Sequence, residues 1–228
     1  MSAPPAPGAP EPRRPAGASR YGWFAGVVLI LVIAYVTLNT LRSDGPGSSG
    51  VRTGERMPPF AAPVALGPLQ GDVNVARRAG QGAAGRRPAC AVRGAGILNV
   101  CALWERGPVV LAFLATRGAR CTAELDTLER VRAAHPGVQF AAVSIKGDRA
   151  ELRALVRHRG WGFPVAYDRD GILANLYGVA VCPQVTYALP GGRVEATTIG
   201  GLDRAGLDRR LAALERAARA RGWHAPAP

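Results

Sequence analysis

An apolar run that ends in a cysteine at the start of a helix constrains this chain more than any other stretch. Val109, Val110, Leu111, Ala112 and Phe113 follow one another without a polar residue. That is the pattern of a central strand covered on both faces, not of a strand with one wet side. Thr116 to Arg120 interrupt the run, and TAELDTLERVRAAH then places Leu125, Leu128 and Val131 on one side of a helix. Cys121 therefore falls within the first turn. There the helix macrodipole and the unpaired backbone N–H groups favour an anion, so a thiolate is stabilised if solvent reaches it.

The rest of the chain arranges itself around that segment. Residues 1–20 are rich in Pro, Ala and Gly and are expected to be disordered. Tyr21 to Leu41 holds no charged residue, and its 21 positions match the roughly 20 needed to span a bilayer. Arg13, Arg14 and Arg20 precede it, whereas Arg42 and Arg52 mix with Asp44 and Glu55 after it. This balance predicts a cytoplasmic N-terminus and an extracytoplasmic remainder, a single-pass anchor in the cell membrane. A cleaved signal peptide fits less well, because the run is long and no small-x-small site follows. Residues 42–56 read as a flexible tether and 57–222 as one folded domain, with 223–228 a disordered tail. Gly71 to Val75 is a strand candidate, and the basic, Gly-rich stretch at about 77–96 reads as an insertion.

Within the domain, Val138 to Ile145 has the make-up of a parallel strand, and Asp148 is placed to cap a helix through His158 with Leu152, Leu155 and Val156 inward. Val185 to Leu189 and Arg193 to Ile199 read as antiparallel strands joined across Pro190-Gly191-Gly192. Asp203 opens a last helix whose inner face carries Leu207, Leu211 and Leu214, and Trp161 and Phe163 belong in the core. The order βαβαββα after a leading hairpin predicts an α/β sandwich on a mixed sheet.

The net charge of +13 raises nucleic acid as a partner. Its distribution argues against that reading. By counting, about +5 sits between Arg77 and Arg93, about +2 in residues 1–20 and about +3 in 203–222, which leaves the 94–202 stretch only about +3. No nucleic-acid partner is expected, nor any cofactor or metal: no Cys-x-x-Cys spacing occurs and the three histidines are scattered.

VVLAFLATRGARCTAEL resembles the membrane-anchored, extracytoplasmic thioredoxin-like proteins of the TlpA type, within the alkyl hydroperoxide reductase/thiol-specific antioxidant (redoxin) family. GERMPPFAAPVAL resembles the opening of the same family, and VAVCPQVTYALPGG its proline loop. The resemblance implies a thioredoxin fold: a mixed central sheet flanked by helices, with an N-terminal hairpin, here preceded by one transmembrane helix. In the family the central strand leads through Trp-Cys-x-x-Cys. On that pattern Arg117 stands at the tryptophan, Gly118 at the first cysteine and Cys121 at the second, so the usual exposed nucleophile is missing. Pro183 stands at the family's cis-proline, and Glu124 at a position that is also acidic there, where it would relay a proton or, as the alternative, favour the helix N-terminus electrostatically. Because the proline loop packs on the cysteine-bearing helix, the resemblance implies that Cys182 lies close to Cys121. A disulfide between them would stand in for Cys-x-x-Cys, and a buried free thiol is the alternative.

Cys90 and Cys101 enclose ten residues that include the reversal Arg93-Gly94-Ala95-Gly96. Four cysteines allow three pairings, and 90–101 with 121–182 is the expected one, the first structural. A resolving thiol at Cys90 or Cys101 is the alternative. Arg117 and Arg120 would lower the Cys121 pKa if their guanidinium groups approach the sulfur.

Three functions compete. The first is a thiol–disulfide oxidoreductase acting on protein or small-molecule thiols and disulfides, with Cys121 attacking, Cys182 as its partner and Pro183 shaping the groove. The second is a redox-inactive thioredoxin-fold binding module locked by its disulfides. The third is a one-cysteine peroxidase, because CTAEL also resembles peroxiredoxins, although Gly118 replaces the Thr or Ser that those proteins use to hold peroxide.

Overall fold

The computed structural model describes residues 20–41, 49–69 and 87–225. The expected tail at 1–20 lies outside them apart from Arg20. So do the first part of the tether, the strand candidate at 71–75, most of the insertion and the last three residues.

The chain falls into two units, Met1–Asp44 and Gly45–Pro228. The first contains one helix, α1 (Arg20–Leu41), whose side chains from 22 to 38 are exposed all round. Trp23, Phe24, Leu29, Ile30 and Leu31 are among them. Among the described residues no helix is long and apolar enough to cross a membrane; the expected span at 21–41 runs past the described side chains at both ends.

Among its described residues the second unit has seven strands and five further helices in chain order: β1 (Ala61–Pro63), β2 (Ile97–Asn99), α2 (Val100–Arg106), β3 (Val109–Ala115), α3 (Ala119–Arg132), β4 (Gln139–Lys146), α4 (Arg149–Arg159), β5 (Val165–Tyr167), α5 (Ile172–Leu176), β6 (Gln184–Ala188), β7 (Val194–Ile199) and α6 (Arg204–Arg219). A single 3-10 turn covers Ala89–Ala91. The main sheet has the order β5-β4-β3-β6-β7. β3 pairs parallel with β4 and β4 with β5, while β6 runs antiparallel to both β3 and β7. This is the mixed sheet of a thioredoxin-like fold.

β3 is central because nothing in it needs water. Val110, Ala112 and Leu114 face the side covered by α3, α4 and α6, packing with Leu125, Leu152 and Leu211. Val109, Leu111 and Phe113 face the other side, with Phe60, Leu103, Trp104 and Tyr177. Asp148 caps α4 by accepting from the backbone N–H groups of Ala150 and Glu151, and Asp203 caps α6 by accepting from Gly206. Each cap satisfies donors that have no partner within the helix. α3 stops at Arg132 rather than running on to His135, because Pro136 disfavours helical geometry at the residue before it.

The two-stranded extension joins β1 to β2, with Ala61 opposite Asn99 and Pro63 opposite Ile97. Its strands are distant in sequence, so it is not a tight hairpin. Tyr177 fastens this region to the main body: its hydroxyl donates to the Pro58 carbonyl at 2.7 Å, and its ring meets Phe60 edge-on.

Candidate active site

The antiparallel pairing of β3 with β6 puts the end of one strand beside the start of the other, with Phe113 opposite Gln184. The chain leaving β3 turns through 116–118 and enters α3, carrying Cys121 as its third residue. The chain arriving at β6 passes through Cys182 and Pro183, joined by a cis peptide bond. The two cysteines meet at this corner. Cys121 and Cys182 form a disulfide with Cα atoms 5.4 Å apart, inside the range a bridge permits.

The two sulfur-bearing residues differ in access. Cys121 is 2% exposed, whereas Cys182 is half-buried and follows Ala180 and Val181, both exposed. The sequence reading made Cys121 the attacking group. The structure buries it more deeply than its partner, although Ala119 and Arg120, which open α3, are exposed.

Glu124 lies one turn further along α3 and is buried. Its Oε2 accepts from the Leu202 N–H at 3.1 Å, and its Oε1 has no hydrogen-bond partner among the described residues. Burial raises its pKa above the ordinary carboxyl value, and the Leu202 hydrogen bond offsets part of the effect. The loop holding Leu202 also holds the proline: the Gly200 N–H donates to the Pro183 carbonyl at 2.9 Å. A Cβ added to Gly201 would lie 3.1 Å from Glu124 Oε2 and 3.8 Å from the Pro183 ring. One loop therefore fixes both residues.

Tyr187, on β6, was assigned no role from the sequence. Its ring is fully buried, burial pushes its phenol up to about 12, and the charge of Glu124 adds to the rise. The Arg210 guanidinium lies 5.8 Å from the ring centroid. The tyrosine at this alternating position gives a strand signal only; its place in the buried cluster that also holds Leu125 of α3 is set by the tertiary packing.

The arginines do not serve the sulfur. Arg117 turns outward, with its side chain 84% exposed and paired to Glu151, and Arg120 is exposed. Cys90 and Cys101 form the second disulfide, with Cα atoms 5.3 Å apart. Asn99 organises that corner. Its Oδ1 accepts from the Cys101 and Ala102 N–H groups, and its Nδ2 donates to the Ala89 and Val92 carbonyls. An asparagine just before a helix is a readable capping signal. Among the described residues no group of three or more His, Cys, Asp or Glu is placed to hold a metal.

Comparison with known proteins bears on the family and the fold. Residues 97–195 match the model of the AhpC/TSA family. The thiol-disulfide oxidoreductase ResA of Oceanobacillus iheyensis is 29% identical over 96 residues, covering 41% of this chain and 50% of the relative. The chain thus spans about half the length of that curated relative. A candidate thiol:disulfide interchange protein DsbE from Chlorobium tepidum superposes with a TM-score of 0.56 at 19% identity, over 72% of this chain and 98% of the other. The peroxidoxin BcpB of Mycobacterium tuberculosis gives 0.53 at 17% identity, over 73% and 97%. At these identities the two structures speak for the fold alone.

Proposed function

We propose that this protein is a membrane-anchored, extracytoplasmic thiol–disulfide oxidoreductase whose redox pair is Cys121 with Cys182. The observation that carries the reading is their disulfide, set between the first turn of α3 and a cis-proline, with Cys182 the more exposed residue of the two. The likeness to ResA over 96 residues supports it.

The difference in access assigns the steps. An incoming thiolate attacks Cys182 Sγ, the bond to Cys121 breaks, and Cys121 leaves as a thiolate. The first turn of α3 stabilises that charge. A second thiol of the substrate then attacks the substrate sulfur in the mixed disulfide and releases Cys182. The substrate loses two electrons and two protons, and the protein bridge gains them. Glu124, kept in its protonated form to higher pH by burial, supplies or accepts a proton on the Cys121 side. Run in reverse, Cys182 attacks a substrate disulfide and Cys121 resolves it. Pro183 shapes the groove beside Val181 and Ile199, both exposed.

The anchor is read from the uncharged stretch at Tyr21 to Leu41 and the exposed apolar side chains of α1. With the positive charge before it, the domain would lie outside the cytoplasm. Peroxide chemistry is not proposed, because Cys121 is bonded to Cys182 and Gly118 offers no hydroxyl.

The burial of Cys121 favours one competing reading, a binding module held by two structural disulfides. Mixing the oxidised protein with a reduced dithiol peptide separates the two. The oxidoreductase gains two hydrogens by intact mass while the peptide loses two, and a Cys121→Ser/Cys182→Ser variant does nothing. A wild-type protein that leaves the peptide reduced would be the module.

A further inference from the structure

We infer that Gly118 decides which cysteine Cys121 bridges, by leaving empty the space its sulfur occupies. The redox part of this inference rests on the oxidoreductase reading; the pairing part does not.

The backbone does not call for glycine here. Gly118 has φ −97° and ψ 98°, an extended conformation open to every L-residue. Nor does the helix call for it. Gly118 is the N-cap of α3 and makes no side-chain cap, where Ser, Thr, Asp or Asn would satisfy an unpaired N–H group.

What requires glycine is the sulfur. A Cβ added at 118 would lie 2.5 Å from Cys121 Sγ and 3.3 Å from the Ala115 carbonyl oxygen. The first distance is well inside the roughly 3.5 Å at which unbonded heavy atoms settle. A free thiol would swing aside. A sulfur bonded to Cys182 moves only if the bridge moves with it, so any side chain at 118 opposes the bridge.

The same Cβ would lie 3.4 Å from the Cys121 Cβ. That is at the short edge of the roughly 3.5–4.5 Å found across disulfides. A thiol at 118 would therefore be within bonding reach of Cys121 and would compete for it. Glycine both makes room for the long-range bridge and removes its short-range rival. Restoring a side chain should undo the first effect, and restoring a cysteine both.

Two variants of the full chain test this. Reducing the bridge with glutathione consumes two thiols, forms one glutathione disulfide and leaves Cys121 and Cys182 each protonated, so mapped thiol content at set buffer ratios gives the equilibrium constant. In Gly118→Ala that constant is expected to move toward the dithiol by about tenfold or more. In air-oxidised Gly118→Cys, a non-reducing peptide map is expected to join the introduced thiol to Cys121 and to find Cys182 open to iodoacetamide. The Cys90–Cys101 bridge, retained in the same maps, reports that the variants have folded.

An alanine variant within about threefold of wild type would overturn the inference. So would a cysteine variant that keeps the 121–182 bridge and leaves its new thiol free. If glutathione never reduces the wild-type bridge, the oxidoreductase reading fails, while the map of Gly118→Cys still decides the role of Gly118.

Discussion

Cys121 and Cys182 are 61 positions apart in the chain and 5.4 Å apart at Cα, and the pairing of β3 with β6 is what closes that gap. The bridge therefore joins the helix that leaves the sheet to the loop that enters it. Its two ends are unlike. One sits in a helix turn beneath a proline, the other on a loop with exposed neighbours. The proposed chemistry depends on that asymmetry.

The first prediction concerns which sulfur reacts. Cys121→Ser leaves Cys182 as a half-buried single thiol, and Cys182→Ser leaves Cys121 beneath the loop. Mixed-disulfide formation with an aromatic disulfide reagent is expected to be at least about tenfold faster in the first variant than in the second. Stopped-flow absorbance of the released thiolate measures both rates. Equal rates, or the reverse order, would return the attacking role to Cys121.

The second concerns Glu124. The unfolded chain gives up this proton at about pH 4, and the folded protein holds it to higher pH because burial raises the carboxyl. The folded state then binds more protons than the unfolded one, so this group makes stability fall as pH rises from about 4 through the folded value. Glu124→Gln does not titrate. Its stability relative to wild type should climb across that window and level off on either side. Urea midpoints from acid to neutral pH check this, and a difference that stays constant would contradict it.

The third concerns Asn99, which is 5% exposed and makes four hydrogen bonds around the second disulfide. Asn99→Ala removes the cap of α2 and takes a donor from the Ala89 and Val92 carbonyls, the first of which keeps the Val92 N–H. A loss of about 2 kcal/mol or more is expected by urea denaturation. The Cys90–Cys101 bridge should also become more open to reductant.

The fourth concerns the anchor. The full chain is expected to stay in the membrane fraction through alkaline carbonate washing, and a chain beginning at Gly45 to be released. An impermeant protease added to intact cells should cut the domain. A full chain found in the soluble fraction, uncleaved, would contradict the proposed placement.

Much of the fold was legible because its signals are local. The apolar run of β3, the caps at Asp148 and Asp203 and the leucine faces of α3 and α6 each follow from spacing along a few residues. The end of α3 was placed too late because the helical pattern of TAELDTLERVRAAH outweighed the effect of Pro136 on His135. The extension was expected as a leading hairpin, yet β1 pairs with β2 across a long interval, and three-residue strands carry too little pattern to fix a partner.

The candidate site was legible in its residues but not in its geometry. Cys182 and Pro183 could be placed near Cys121 only through a family resemblance, since nothing within any short window links them, whereas Glu124 follows Cys121 by one helical turn. Which sulfur faces solvent depends on how a loop rests on a helix. The outward turn of Arg117 depends on Glu151, which belongs to α4. That the Cys121 sulfur fills the space beside Gly118 depends on where the bridge to Cys182 holds it. Each is a tertiary fact with no local signature.

A redox titration of the wild-type protein in buffers of defined thiol–disulfide potential, read by alkylation and peptide mapping, tests the central claim most directly. Cys121 and Cys182 are expected to gain thiols together in one two-electron transition, with a midpoint above about −300 mV, while Cys90–Cys101 stays bridged. A 121–182 bridge that persists below that potential, or opens only when the protein unfolds, would contradict it.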